Sequence, residues 1–254
     1  MNNNYKFVLV GHGSIGSRFK DALIKLKIDK KDIYIIEKNK ELLSNLKAEN
    51  YICFDDIEEI PKSDGYELAG IVANWGPDHI PSANKLVDKG CKKLIIEKPI
   101  SDSIAELIKF KERCKNNNVF VTVHYFWKYS NIIATIKKIE KELFLDKPHG
   151  FRIIGGAVCL STNGTHYFDL GCELLDSNPV SVVSDLEVDY INPRDQSLAY
   201  IGGSASYKMT NSKFIHVSFS NKNSQAIRAE LLYRNGIIEI GYEEGLICSM
   251  RDKE

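Results

Sequence analysis

The chain of 254 residues is short of most of the signals that would narrow a function at once. Its 34 Lys and Arg balance 34 Asp and Glu. No net field therefore gathers nucleic acid or an anionic membrane surface, and neither partner is expected. No apolar run approaches bilayer-spanning length, and the short one after Met1-Asn2-Asn3-Asn4 carries no cleavage site. The six cysteines (Cys53, Cys91, Cys114, Cys159, Cys172 and Cys248) form no CxxC pair, and several sit in apolar runs as small hydrophobes. Histidines and cysteines lack ligand spacing, so no metal is expected. The absence of a Gly-x-Ser-x-Gly elbow removes a serine hydrolase. What remains is a soluble, cytoplasmic protein, long enough for two domains, that works on small molecules.

What is present begins with Gly11-His12-Gly13-Ser14-Ile15-Gly16, directly after the apolar run Phe7 to Val10. Ile15, Phe19, Leu23 and Leu26 then recur at helical spacing. In such a turn the first glycine lets the chain reverse, the second lets backbone N–H groups approach a pyrophosphate, and the third lets the helix pack against the strand. The helix N-terminus faces the phosphates. A second apolar run, Asp32 to Glu37, ends in a carboxylate 21 residues beyond Gly16. An acid there accepts hydrogen bonds from the adenosine ribose and repels a 2′-phosphate, which favours NAD over NADP; the neighbouring Lys38 pulls the other way.

Alternation continues down the chain. Lys40 to Glu49 reads as a helix, Tyr51 to Phe54 and Leu68 to Ala73 as strands, and Pro77 to Lys89 as a helix stopped by Gly90. Lys93 to Ile96 is a strand, Ser103 to Lys115 a helix capped by Ser101 or Asp102, and Val119 to Val123 a sixth strand. This pattern predicts a parallel, doubly wound α/β sheet with its ligand at the C-terminal ends of the strands. The grammar then changes. Asn131 to Phe144 and Tyr167 to Leu175 look helical and Phe151 to Ile154 extended. Val180 to Tyr190, Ala199 to Tyr207, Phe214 to Ser220 and Ala226 to Tyr233 read as strands, with Asn235-Gly236 turning into Ile237 to Tyr242. The runs Asn2 to Asn4 and Asn116 to Asn118 read as a terminus and a turn.

Glu97-Lys98-Pro99 follows the fifth strand, which puts Lys98 on the same edge as the glycine loop, while Pro99 restricts the turn that presents it and admits a cis bond. A lysine there donates to a substrate hydroxyl and stabilises developing negative charge. With Gly11 to Gly16, Pro77-Asp78-His79, Glu97-Lys98-Pro99 and Asn163-Gly164-Thr165-His166-Tyr167-Phe168-Asp169, nearly the whole chain resembles the Gfo/Idh/MocA oxidoreductases. These are NAD(P)-dependent sugar and cyclitol dehydrogenases. The resemblance implies an N-terminal Rossmann domain over residues 1–123. Over residues 124–254 it implies an α+β domain with an open-faced, mainly antiparallel sheet that shapes the substrate pocket and joins subunits into a homo-oligomer.

Carried over by motif, the resemblance makes Lys98 the residue that orients the reacting hydroxyl and His166 the acid/base, a task suited to an imidazole. The family's usual aspartate four residues before this histidine is Thr162 here, which hydrogen-bonds but holds no negative charge; Asp169 or a substrate group is left to compensate. The expected cofactor contacts are Gly11, His12, Gly13, Ser14, Ile15, Gly16, Glu37, Lys38, Asn74, Trp75, Pro77, His79, Glu97 and Lys98. The expected substrate contacts are Lys98, His124, Lys128, Thr162, Asn163, Thr165, His166 and Asp169. His149 reads as a surface residue and His216 as one member of an alternating strand face. The leading expectation is hydride transfer between a nicotinamide and a sugar, cyclitol or nucleotide-sugar hydroxyl or ketone. Two alternatives stand beside it. Thr162, and a chain ending at Glu254 where family members usually continue, suit an NAD(H)-binding regulatory protein. A redox-neutral, NAD-dependent glycoside- or sugar-modifying enzyme shares the same early chemistry.

Overall fold

Strands that are apolar at every position need cover on both faces, and the computed structural model supplies it for the N-terminal half of the chain. The structure describes residues 5–143, 146–156, 159–191, 199–220, 222, 224–241 and 245–250. The run Asn2 to Asn4, Phe144 and Tyr242 lie outside the described residues. The chain divides into two compact units, Met1–His124 and Tyr125–Glu254.

The first unit alternates β1 (Tyr5–Val10), α1 (Ser14–Lys25), β2 (Ile33–Ile36), α2 (Lys40–Ala48), β3 (Ile52–Phe54), β4 (Glu67–Val72), α3 (His79–Asp88), β5 (Lys93–Ile96), α4 (Ile104–Asn116) and β6 (Phe120–Val123). All five strand pairings are parallel, in the order β3-β2-β1-β4-β5-β6. Successive residues of one strand point to opposite faces. Val8 and Val10 of β1 join Leu94, Ile96, Leu86 and Phe110 in one core, while Leu9 joins Ile33, Ile35, Leu23 and Leu46 in the other. The strand order reverses between β1 and β4, and a crevice for a ligand opens beyond the C-terminal ends of strands at such a point. The helix α4 is capped one or two residues later than the sequence predicts. Ser103 Oγ accepts from the Glu106 N–H at 3.3 Å, because a cap must reach the third residue of its helix. Ser101 Oγ instead accepts from the Ser103 N–H at 3.0 Å.

The second unit comprises α5 (Ile132–Leu143), β7 (Gly150–Gly155), α6 (Thr165–Leu175), β8 (Pro179–Ile191), β9 (Ala199–Met209), β10 (Phe214–Phe219), β11 (Arg228–Leu232), β12 (Gly236–Gly241) and β13 (Gly245–Met250). One seven-stranded sheet takes the order β13-β12-β11-β7-β10-β9-β8. It is antiparallel except for the central pair β7 and β10, which runs parallel, so the sheet is mixed. Its inner face (Phe151, Ile153, Ile215, Val217, Phe219, Leu231, Ile238) packs on Ile136 of α5 and on Tyr167, Leu170 and Leu174 of α6. The opposite face carries the cross-strand pairs Arg152 with Glu230 and Arg228 with Glu239.

Three local features depart from the sequence reading. The register of Leu232 opposite Ile237 centres the hairpin turn on Arg234 and Asn235, and the Tyr233 N–H donates to Gly236 O at 2.9 Å, so Gly236 already belongs to β12. The strand β13 follows where no further strand was predicted, because Leu246, Ile247 and Cys248 find their place only by pairing with β12. Helix α6 begins two residues before Tyr167 and continues a single π-helical turn, Leu160–Gly164.

Candidate cofactor and catalytic site

The glycine loop occupies the point where the strand order reverses. Gly11 has φ +87°, and a Cβ on it would lie 2.6 Å from Asn74 Cα, so the turn off β1 requires glycine. A Cβ on Gly16 would lie 2.0 Å from Gly11 O, which keeps α1 tight against the loop. Gly13 differs. Nothing lies within 4 Å of its Cβ position, and the space in front of the α1 N-terminus is open there. Three glycines thus serve the three purposes that a dinucleotide-binding turn demands.

Glu37 leaves β2 beside this loop. Its Oε2 accepts the His12 backbone N–H at 2.7 Å and its Oε1 the Asn39 N–H at 2.8 Å, so the carboxylate is held by two backbone donors facing the loop. Lys38 points outward and pairs with Asp78 at 3.7 Å. The His12 ring is half-buried, and neither of its nitrogens takes a hydrogen bond from a described residue. Burial and the Lys20 ammonium hold its pKa below the ordinary value against the pull of Glu37, Glu49 and Asp21, which keeps the ring neutral. Ser14 and Ile15 open the first turn of α1.

Beyond β4, Asn74 Nδ2 donates to Ser82 Oγ at 2.8 Å, while its buried Oδ1 has no partner among the described residues. His79, only 2% exposed, bridges two carbonyls, with Nδ1 2.8 Å from Pro99 O and Nε2 3.1 Å from Asn74 O. It therefore packs the segment after β4 against the turn after β5 and works as structure within this edge. Pro77 is the second residue of the short turn Gly76–Asp78, and Trp75, 41% exposed, precedes it. The Lys98–Pro99 bond is cis. Glu97 is buried: its Oε1 lies 2.6 Å from His124 Nδ1, and its Oε2 faces the Lys98 N–H at 3.3 Å. The sequence reading missed Ser82 and Phe19, whose ring meets His124 edge-on at 4.9 Å. Helical spacing marked Phe19 only as a core residue.

In the second unit His166 lies on the first turn of α6, with Tyr125 meeting its ring edge-on at 5.8 Å. Thr162 and Asn163 belong to the π-helical turn before it, and Thr165 Oγ1 donates to Thr162 O at 2.7 Å. Such an extra residue in a helix is often found at functional sites. Asp169, one turn beyond His166, pairs with Lys128 at 3.1 Å. Burial pushes the Asp169 carboxyl up from its ordinary value, while Lys128 pulls it down. A cavity of about 620 Å³ opens beside this pair along the C-terminal half of α6, and His166 does not line it. Among the described residues, no group of His, Cys, Asp and Glu is arranged to hold a metal ion.

The parallel sheet in the order 3-2-1-4-5-6, with a glycine turn at its reversal and an acid at the end of β2, defines a dinucleotide-binding Rossmann protein. Residues 5–125 match the family model GFO_IDH_MocA, described as an oxidoreductase family with an NAD-binding Rossmann fold. The N-terminal unit, a little under half of the chain, thus matches the NAD-binding Rossmann domain of the Gfo/Idh/MocA oxidoreductases. Solved structures extend the likeness over both units. A probable dehydrogenase from Thermotoga maritima is 16% identical with a TM-score of 0.73, over 98% of this chain and 76% of that one. The WlbA dehydrogenase from Bordetella pertussis, solved with NADH and UDP-GlcNAcA, is 15% identical with a TM-score of 0.79, over 100% of this chain and 82% of that one. An apo scyllo-inositol dehydrogenase from Lactobacillus casei is 14% identical with a TM-score of 0.74, over 97% and 81%. At these identities the likeness shows the fold. No curated protein matches the chain in sequence.

Proposed function

We propose that the chain is an NAD-dependent dehydrogenase or reductase acting on a secondary alcohol or ketone of a sugar, cyclitol or nucleotide-sugar. The observation that carries this reading is the edge formed by the glycine loop, Glu37, Asn74 and Lys98 at the C-terminal ends of β1, β2, β4 and β5. The residues fit the dinucleotide. Open space above Gly13 admits a pyrophosphate, the unpaired Asn74 Oδ1 offers an acceptor, and the Glu37 carboxylate suits ribose hydroxyls over a 2′-phosphate. When bound, NAD supplies the hydride chemistry.

The remaining work falls to side chains of this chain. Lys98 donates to the reacting oxygen and stabilises the charge that grows on it. His166 exchanges the hydroxyl proton, and Lys128, Thr162, Asn163, Thr165 and Asp169 contact the substrate. The likeness to solved dehydrogenases of sugar-like compounds supports the substrate class. The expected homo-oligomer draws support from β8, where Val180, Val182, Val183, Leu186 and Val188 are all exposed. The test is a panel of sugars, cyclitols and nucleotide sugars with NAD, read as NADH formation. Turnover that falls about 10²- to 10⁴-fold on His166→Ala supports the assignment, and full activity in that variant removes it.

Thr162 favours a second reading, a regulatory protein that binds NAD(H) without efficient turnover. Tight NADH binding with no NADH formation across the panel selects it.

A further inference from the structure

The strands β5 and β6 run parallel with Ile96 opposite Val123, so the next residues, Glu97 and His124, leave the sheet side by side. Backbone bonds fix both exits: the Glu97 N–H donates to Val72 O at 2.9 Å and the His124 N–H to Ile96 O at 2.8 Å. Glu97 is only 7% exposed, and both of its carboxylate oxygens face donors. Oε1 meets His124 Nδ1 at 2.6 Å, and Oε2 faces the Lys98 backbone N–H at 3.3 Å. The ring of Phe19 closes the third side of the imidazole. A buried carboxylate is an acceptor, and satisfying it with Nδ1–H fixes both the orientation and the tautomer of the ring.

We propose that Glu97 and His124 form a carboxylate–imidazole dyad in which Glu97 is the positioning residue, holding the Lys98 backbone and fixing the His124 ring as its Nδ1–H tautomer. The proposal rests on the dehydrogenase reading above. In that reading Lys98 donates to the reacting oxygen, and Glu97 sets the backbone from which Lys98 projects.

The test uses the full chain with ¹⁵N-labelled histidine. Long-range ¹H–¹⁵N spectra report the tautomer of each imidazole, and the ring resonances lost in His124→Gln identify His124. The expected wild-type spectrum has the proton on Nδ1 of His124. In Glu97→Ala, or in Glu97→Met if the alanine variant fails to fold, the population moves toward the Nε2–H form. A wild-type His124 that is mainly Nε2–H overturns the dyad. Titration of the same proteins with NADH tests the underlying reading separately: an Nδ1–H His124 in a chain that does not bind NADH removes the dehydrogenase and keeps the pairing. With any substrate found in the panel, Glu97→Ala lowers kcat about 10- to 100-fold, the cost of misplacing Lys98. Unchanged kcat in Glu97→Ala overturns the positioning role.

Discussion

Two alanine substitutions two residues apart in the glycine loop have opposite expected consequences. At Gly11 the side chain must accept φ +87° and a Cβ placed 2.6 Å from Asn74 Cα and 2.8 Å from Asn74 N, both backbone atoms of the strand end next door. Left-handed backbone costs an alanine about 1–2 kcal/mol, and overpacking adds about 1–3. Gly11→Ala thus loses roughly 2–5 kcal/mol, a drop in Tm of order 10 °C. At Gly13 the same Cβ meets nothing within 4 Å. Gly13→Ala therefore folds with Tm within about 2 °C of wild type, yet its methyl stands where backbone N–H groups would approach a pyrophosphate. Losing one such charge-assisted bond, worth about 1.5–3 kcal/mol, weakens NADH binding about 10- to 150-fold. Thermal unfolding and NADH fluorescence titration on the three proteins measure both quantities. Wild-type NADH affinity in a well-folded Gly13→Ala, or an unchanged Tm in Gly11→Ala, would refute the reasoning.

Three further outcomes follow from the side chains described. Glu37→Ser, which removes the carboxylate that accepts the His12 and Asn39 N–H groups, narrows the preference for NADH over NADPH by about tenfold or more in parallel titrations. Burial pushes the Cys91 thiol up to about 12, and Cys53, Cys114 and Cys159 are also buried while Cys248 is exposed. A thiol reagent at pH 8 accordingly labels Cys248 first, and Cys91 reacts only as the chain unfolds. The Glu58 backbone N–H and the Lys85 ammonium hold the Asp56 carboxyl below its ordinary value. A depressed carboxylate gives stability that is complete above the unfolded pKa near 4 and lost as pH falls through the lower folded value. Urea unfolding of Asp56→Ala then shows a loss of about 1 kcal/mol at pH 7 and distinctly less at pH 2, the exposed ion pair contributing little.

Much of the first unit was legible because its signals are local. The burial of Ile33 to Ile36 on both sides produces an unbroken apolar run, and the positions of Gly11, Gly13 and Gly16 record three separate steric demands. The second unit was legible as strands and helices but not as a sheet. The parallel pairing of β7 with β10 joins segments with a helix and two strands between them, and nothing in either segment announces its neighbour. β13 has the same origin, a short apolar stretch that becomes a strand only because β12 offers an edge. The Glu97–His124 contact lies between the two cases. Both residues stand at the end of a predicted strand, but only the register of Ile96 with Val123 sets them side by side.

The most direct test of the account is a titration of the cofactor-stripped full chain with NADH and with NADPH, followed by nicotinamide and tryptophan fluorescence. The account predicts saturable NADH binding at micromolar concentration and much weaker NADPH binding, with Glu37 as the selector. Failure of both nucleotides to bind would contradict it, and the proposed enzyme function would fall with the cofactor site.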